Sequence, residues 1–339
     1  MKIYLANYLY DRGVIGPELT DQLNDIEYYL TKKNFIAKSQ EYYELLFNEK
    51  PDPIVFTGHK FFLTKKPHPL FARVDLMERG LHLFRMMFSR HAHNLRNIGG
   101  DGYPLAAPPY LKGVGEYEKK GVMVFENFFD SDEAEKFRKF IYAQPKSENI
   151  QSFNKITNIM SPELYDIVKY KIYPICAKAV HRQTTSTPAW EHFQATSYVQ
   201  RLDNSPNNGD IQKVCHSDVF YPCLKYWYFP QDVTTGTFMY AKGSTMLDEE
   251  QLDFYLRESI AVTNDTWDRK RNKGHGEGSF RALPEDLKSM GLKLEPVTVK
   301  ANSLVIADTS GFHCRGDVER SSTRNALHGA IRVETPFDT

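Results

Sequence analysis

Two separated stretches carry the residue types with the clearest chemical potential: Cys215-His216-Ser217-Asp218, and Ala307-Asp308-Thr309-Ser310-Gly311-Phe312-His313. On a strand, side chains two residues apart share a face, so His216 and Asp218 are expected to project together while Ser217 points away. A histidine and a carboxylate side by side, joined by one distant histidine from a neighbouring strand, compose a facial triad. That donor set suits Fe(II) and leaves three coordination positions open. A keto acid can chelate through two of them, and dioxygen can take the third. Arg324 follows His313 at a distance that allows a strand, a turn and a returning strand. Its planar guanidinium, brought back over the metal face, would pair bidentately with the remote carboxylate of 2-oxoglutarate. The bland readings are a solvent-exposed turn for an isolated His-x-Asp triplet and a surface ion pair with Glu319 or Asp317 for Arg324. The triad and the arginine together favour the site.

The elements that must position these residues come in two styles. Residues 1 to about 115 read as helical. Helices are expected from Pro17, from Ser39 to Phe47, and over a longer span from about Phe71 to Leu95. In that span Val74, Met77, Leu81, Phe84 and Phe88 recur at helical spacing. Gly99-Gly100-Asp101-Gly102 would stop it, and the Pro-rich stretch after it is a loop. From about Glu116 the pattern changes. Gly121 to Phe125 is a short β-rich run, Asp132 to Ile141 starts as a helix with acidic residues in its first turn, and Pro162 to Ala179 is a second helix. Short strand-like runs then dominate: His192–Gln200, Val214–Tyr221, Leu224–Phe229, Thr237–Tyr240, Leu294–Val299, Ser303–Ala307 and Ala326–Val333. Such a series argues a β-sandwich or barrel. Residues about 247–290 interrupt it with a helical start and a Gly-rich loop, the profile of an insertion beside a site or a lid.

Composition excludes several function classes. Lys plus Arg equals Asp plus Glu at 43 each, so the overall charge gives no argument for nucleic-acid or membrane binding. No apolar run approaches the roughly 18 residues of a membrane span, and the amino-terminal stretch lacks the features of a signal peptide. The four cysteines form no C-x-x-C pair, so reduced thiols and a cytoplasmic location are expected. Cys215 and Cys314 flank two of the candidate ligands. Alternation points both away from the metal, which makes packing the better reading and a regulatory disulfide a remote one.

Three segments make the chain resemble the phytanoyl-CoA dioxygenase family of Fe(II)/2-oxoglutarate oxygenases. They are Gly121 to Phe137, Leu224 to Ser244, and Asn302 through His313 to Arg324-Asn325-Ala326. The resemblance runs from about Glu116 to the C-terminus and does not reach the first hundred residues. It implies a double-stranded β-helix, or jelly roll, of cupin-like form with helices packed on one outer sheet. Residues 1–115 would then be a helical region packed on a core of residues 116–339. It also implies iron held by His216, Asp218 and His313, with Arg324 anchoring the co-substrate. Tyr198, and either Lys225 or Trp227, would line the co-substrate wall. Related halogenases replace the carboxylate ligand by Gly or Ala. Asp218 stands here, so hydroxylation through 2-oxoglutarate, dioxygen and release of succinate and CO2 is implied. Arg315 occupies a place where relatives often carry Ser or Gly, and Gly243-Ser244-Thr245-Met246 lacks the usual His. Both departures fall on the substrate side.

Arg79, Arg85, Arg90, His91 and His93 form either a solvated helix face or a basic wall for an anionic substrate group. Gln200, sharing a face with Tyr198, and His328, sharing one with Arg324, are candidate substrate contacts along with Arg315; an outer-barrel place is the alternative for His328. The reading is a jelly-roll oxygenase that hydroxylates a small polar or anionic molecule, with no nucleic-acid partner. Desaturation or oxidative ring closure would use the same ligands. A non-catalytic jelly-roll binding protein is the rival of another class.

Overall fold

The computed structural model describes residues 4–57, 69–98, 120–143, 153–155, 161–181, 194–204, 211–263, 280–320, 322–332 and 336–337. The described residues form nine strands: β1 (Val122–Phe125), β2 (Phe153–Lys155), β3 (Gln194–Asn204), β4 (Leu224–Phe229), β5 (Val233–Ala241), β6 (Leu294–Val299), β7 (Ser303–Asp308), β8 (His313–Arg315) and β9 (Ser322–Arg332). All pair antiparallel. One sheet has the order β1-β7-β4-β9-β3-β2, and a smaller one β6-β5-β8.

Alternation along the strands separates two faces of the larger sheet. Tyr226, Tyr228, Leu304, Ile306, Leu327 and Ile331 pack outward on helices 131–143 and 162–181. Stacking of Phe129 on Phe137, with ring centroids 4.7 Å apart, and the edge of Tyr228 close this layer. The opposite side chains, including Trp227, Phe229, Val305, Ala307 and Ala326, meet Phe238 and Tyr240 of β5. This inner layer between the sheets is where the candidate site lies.

Behind the smaller sheet, one apolar cluster joins Leu5 to Leu95 with Cys215, Tyr221, Phe254, Phe280, Phe312 and Cys314. Local sequence explains the helices that build it. Gly16 precedes Pro17 at the first position of helix Pro17–Tyr28, and Asn48, at φ 55°, ends helix Phe35–Phe47 in the left-handed region. Helix Leu5–Asp11 has no capping side chain of its own. Buried Glu27 supplies the cap from the next helix, accepting Leu5 N–H at 3.0 Å, Ala6 N–H at 2.8 Å and the Tyr42 hydroxyl at 2.7 Å.

Three expectations are corrected. The helix expected over about 71–95 is broken into a 3-10 turn at Pro69–Ala72, a short helix Val74–Glu78 and a long helix Leu81–Ile98. The break falls at Gly80, whose φ of +89° no helix accommodates and whose missing Cβ leaves room for Leu9. The long helix is buried on every side from Leu81 to Leu95. Arg85, Arg90, His91 and His93 therefore form neither a solvated face nor a wall of the inner layer. Arg85 donates to Val55 O at 3.0 Å and lies over the Phe220 ring. The segment expected as strand Val214–Tyr221 is not a strand. Its backbone groups are shared among three partners: His216 bonds His313, Ser217 N–H donates to Phe280 O, and Asp218 N–H donates to Thr309 O. The insertion supplies part of the surroundings of the candidate site. Helix Glu249–Thr263 brings Phe254 and Tyr255 against Phe312, and Phe280–Ala282 pairs with the His216 segment. The Gly-rich loop 272–279 lies outside the described residues. Among those described, no helix is long and apolar enough to cross a membrane.

Candidate metal centre

His216 is the middle of three short antiparallel segments. It exchanges both backbone hydrogen bonds with His313, each 2.9 Å long. On its other side it stands opposite Arg281, with Ser217 N–H bonding Phe280 O and Ala282 N–H bonding Cys215 O. Residues directly opposite in an antiparallel pair share a face. Arg281, His216 and His313 thus project to the inner side. The segments continue the smaller sheet, because Tyr240 of β5 is the partner of His313 on β8.

The turn before His313 is held by buried polar groups. Asp308 Oδ1 accepts Ser310 N–H at 2.9 Å and the Ser310 hydroxyl at 2.7 Å, an Asx-type turn. The Tyr240 hydroxyl donates to Asp308 O at 2.7 Å, and Ser244 Oγ accepts Phe312 N–H at 2.8 Å. Gly311 fits between them: a Cβ there would run into Tyr240 Oη and come within 2.7 Å of Ser244 Oγ. Ser244 belongs to the stretch that departs from the family pattern, and its work here is to fix this turn.

The three expected ligands meet. One donor atom each from His216, Asp218 and His313 lies within 4.8 Å of the others. His216 Nε2 is 3.9 Å from Asp218 Oδ1, and His313 Nε2 is 3.7 Å from Oδ2. Those two separations are below the roughly 4 Å available to donors each about 2.1 Å from one ion. Each imidazole commits its Nδ1 to a carbonyl, His216 to Val214 O at 2.8 Å and His313 to Gly311 O at 2.9 Å. Nδ1–H then donates, which leaves Nε2 with its lone pair toward the carboxylate. Two imidazole nitrogens and one carboxylate suit a first-row divalent metal such as iron.

Electrostatics keep the donors in their ligating forms. Burial pushes His216 down to about 3, with the neighbouring His313 adding to the effect. His313 is lowered chiefly by burial too. Burial alone would raise Asp218, but the Lys225 ammonium and then the two histidines outweigh it and hold the carboxyl well below its ordinary value. Lys225 Nζ is 2.5 Å from Asp218 Oδ2.

The larger sheet supplies the facing wall. Lys225 and Trp227 of β4 lie opposite Ala330 and His328 of β9. Trp227 stacks on His328 with centroids 4.9 Å apart and meets Phe238 at 4.7 Å. His328 is therefore an inner residue. Burial drives it down to about 3, with smaller effects from Lys225, Asp218 and Arg324. Arg324, on the same face of β9, is buried, donates to Gly236 O at 2.8 Å and lies over the Phe229 ring. Register sets Tyr198 opposite His328 and Gln200 opposite Ala326; their side chains lie outside the described residues. Arg315, two residues beyond His313 on β8, stands opposite Phe238.

Arg281 was not singled out from the sequence. Its Nη1 donates at 3.4 Å to Val214 O, the carbonyl that also accepts from His216. A lone arginine after a Gly-rich loop carries no pattern, and only the pairing with His216 reveals it. The Asp308 turn was readable in principle from Asp-x-Ser-Gly before His313.

No protein-family model matches the chain, and no curated protein matches it. Solved structures give weak likenesses. The epimerase SnoN in complex with Fe3+, alpha ketoglutarate and nogalamycin RO is 11% identical with a TM-score of 0.41, over 64% of this chain and 81% of that one. Iron-bound HygX from Streptomyces hygroscopicus is 13% identical at 0.40, over 66% and 88%. The non-heme alpha ketoglutarate dependent carbocyclase SnoK from nogalamycin biosynthesis is 14% identical at 0.39, over 66% and 85%. At these TM-scores the likeness assigns neither fold nor activity to this chain.

Proposed function

We propose that this protein is an Fe(II)/2-oxoglutarate-dependent dioxygenase of double-stranded β-helix fold, with residues 1–115 as a helical region packed on the core. The observation that carries the reading is the convergence of His216, Asp218 and His313, two imidazoles with free Nε2 and one ionised carboxylate, on the inner face between two sheets. Ferrous iron, when bound, supplies the one-electron and dioxygen chemistry that no side chain can. The protein's residues do the rest. His216, Asp218 and His313 hold the ion by one face. Arg324, with its planar fork on the same chamber wall, pairs with the remote carboxylate of 2-oxoglutarate. Lys225 keeps Asp218 ionised. Trp227, Phe238 and His328 form a ring-stacked wall that excludes water and fixes the target C–H bond. Arg315 and Arg281, cationic and on the metal side, favour a small substrate with polar or anionic groups. Hydroxylation is the reaction proposed, and four buried free thiols suit the reducing cytoplasm.

The test is anaerobic loading with Fe(II) and 2-oxoglutarate, admission of air, and measurement of succinate. Candidate substrates should raise succinate release and gain one oxygen; loss of two hydrogens would redirect the proposal to desaturation or ring closure. Asp218→Ala should abolish Mn(II) or Fe(II) binding. Wild-type protein that binds neither Fe(II) nor 2-oxoglutarate would overturn the activity and leave a binding protein.

A further inference from the structure

The reciprocal backbone bonds between His216 and His313 fix more than the two imidazoles. In an antiparallel ladder, the residue before one partner stands opposite the residue after the other, so Cys215 faces Cys314. His216 and His313 form a hydrogen-bonded pair, so the cysteine pair is of the closer, non-hydrogen-bonded kind, with Cα atoms about 4.5 Å apart. Alternation sends both thiols to the side away from the imidazoles, into the apolar cluster behind the smaller sheet. Both belong to that one buried cluster. Both are buried, and both are free. Disulfides span Cα separations of about 4.4–6.8 Å, most often about 5.5–6 Å. The pair meets that requirement with no movement beyond its own two strands. Cys176 packs in a different cluster, behind the larger sheet.

We propose that Cys215 and Cys314 are an oxidative modification site, a thiol pair that closes to a disulfide under hydrogen peroxide and thereby alters the metal centre. One thiol attacks the peroxide: an S–O bond forms, the O–O bond breaks, and water leaves. The second thiol attacks the resulting sulfenic acid: S–S forms, S–O breaks, and a second water leaves. Two thiols and one peroxide become one disulfide and two waters, the two sulfurs losing two electrons and the peroxide gaining them. Both thiols are buried, so a small oxidant is required. Closing the bridge moves the pair from about 4.5 Å toward the usual disulfide separation. The next rung of that ladder is His216 and His313, so the two imidazoles are displaced relative to each other.

Full-length protein is treated with hydrogen peroxide, its remaining thiols are alkylated in denaturant, and non-reduced peptides are mapped by mass spectrometry. The expected product is a Cys215–Cys314 cross-link that dithiothreitol reverses, absent in Cys314→Ser. Folded wild-type protein that yields no such cross-link, or that links Cys176 or Cys223 instead, overturns the proposal. Mn(II) titration of the cross-linked form should show an affinity loss of about tenfold, the scale of a disturbed ligand support, restored by reduction. A cross-link with unchanged Mn(II) affinity overturns the coupling to the metal centre. The cross-link itself does not depend on the proposed activity. Reduced protein that fails to bind Mn(II) counts against that activity and the coupling alone, and leaves the peptide map to decide the thiol pair.

Discussion

Replacing Glu27 by glutamine separates a buried proton from the rest of the folding energy. Glu27 is fully enclosed and serves as the cap of helix Leu5–Asp11. Burial raises its carboxyl from 4.5 to about 7, against the opposing effects of Tyr42 and the two backbone amides. At about 1.36 kcal/mol per pH unit, the folded state loses roughly 3 kcal/mol through this group. The sign follows from proton binding. Between 4.5 and about 7 the folded chain holds the proton and the unfolded chain has lost it. Stability from Glu27 is therefore complete below about 4.5, falls as pH rises toward about 7, and is level above that. The direction is opposite to that of a salt-bridged carboxylate. Amide exchange in the 5–11 segment, corrected for intrinsic rates, reads the local opening directly. Wild-type protection should fall by about a hundredfold between pH 5 and 8 relative to Glu27→Gln. The variant should carry only a pH-independent cost of about 1 kcal/mol for the lost cap acceptor. Parallel profiles for the two proteins over that range would refute the buried-proton account.

Three further outcomes bear on the site. Arg324→Ala should weaken 2-oxoglutarate binding by about 30- to 150-fold, the worth of a charge-assisted pair of roughly 2–3 kcal/mol, while Mn(II) affinity stays unchanged; calorimetry in the presence of Mn(II) decides, and equal 2-oxoglutarate affinity removes Arg324 from its role. Gly311→Ala forces a methyl group against Tyr240 and Ser244 and should cost about 1–3 kcal/mol in denaturant titration; a neutral effect would show that the turn yields freely. Arg281→Ala should lower Mn(II) affinity by about tenfold, with partial recovery in Arg281→Lys, because Arg281 shares the carbonyl that orients His216. Wild-type affinity in Arg281→Ala would make Arg281 a packing residue only.

The strands and most helices were legible because their apolar periods are local. The near-continuous apolar runs Leu224–Phe229 and Ser303–Asp308 mark strands buried on both faces, and the candidate ligands were legible from a His-x-Asp triplet joined to one distant histidine. Other features were not local. The pattern across Phe71–Leu95 has a helical period throughout, yet Gly80 turns the chain under Leu9, which only the packing of the first helix dictates. The buried cations of helix Leu81–Ile98 read as surface because charge ordinarily stays in water. Their compensation comes from distant carbonyls, Val55 O for Arg85 and Thr245 O for Arg90.

That last contact changes how the two halves of the chain relate. Arg90 is anchored on Thr245 O, next to Ser244, which holds Phe312 N–H. Asp308, whose carboxyl forms the turn before His313, is raised by burial and pulled back first by Arg90. Two of the groups that place the His313 turn are thus tied to one guanidinium from the helical region. The two sheets alone would leave Asp308 without that cation, and a buried carboxylate stripped of its countercharge is costly. The amino-terminal helices are in this sense part of the candidate metal centre's support, acting from behind the sheet through the backbone that carries His313.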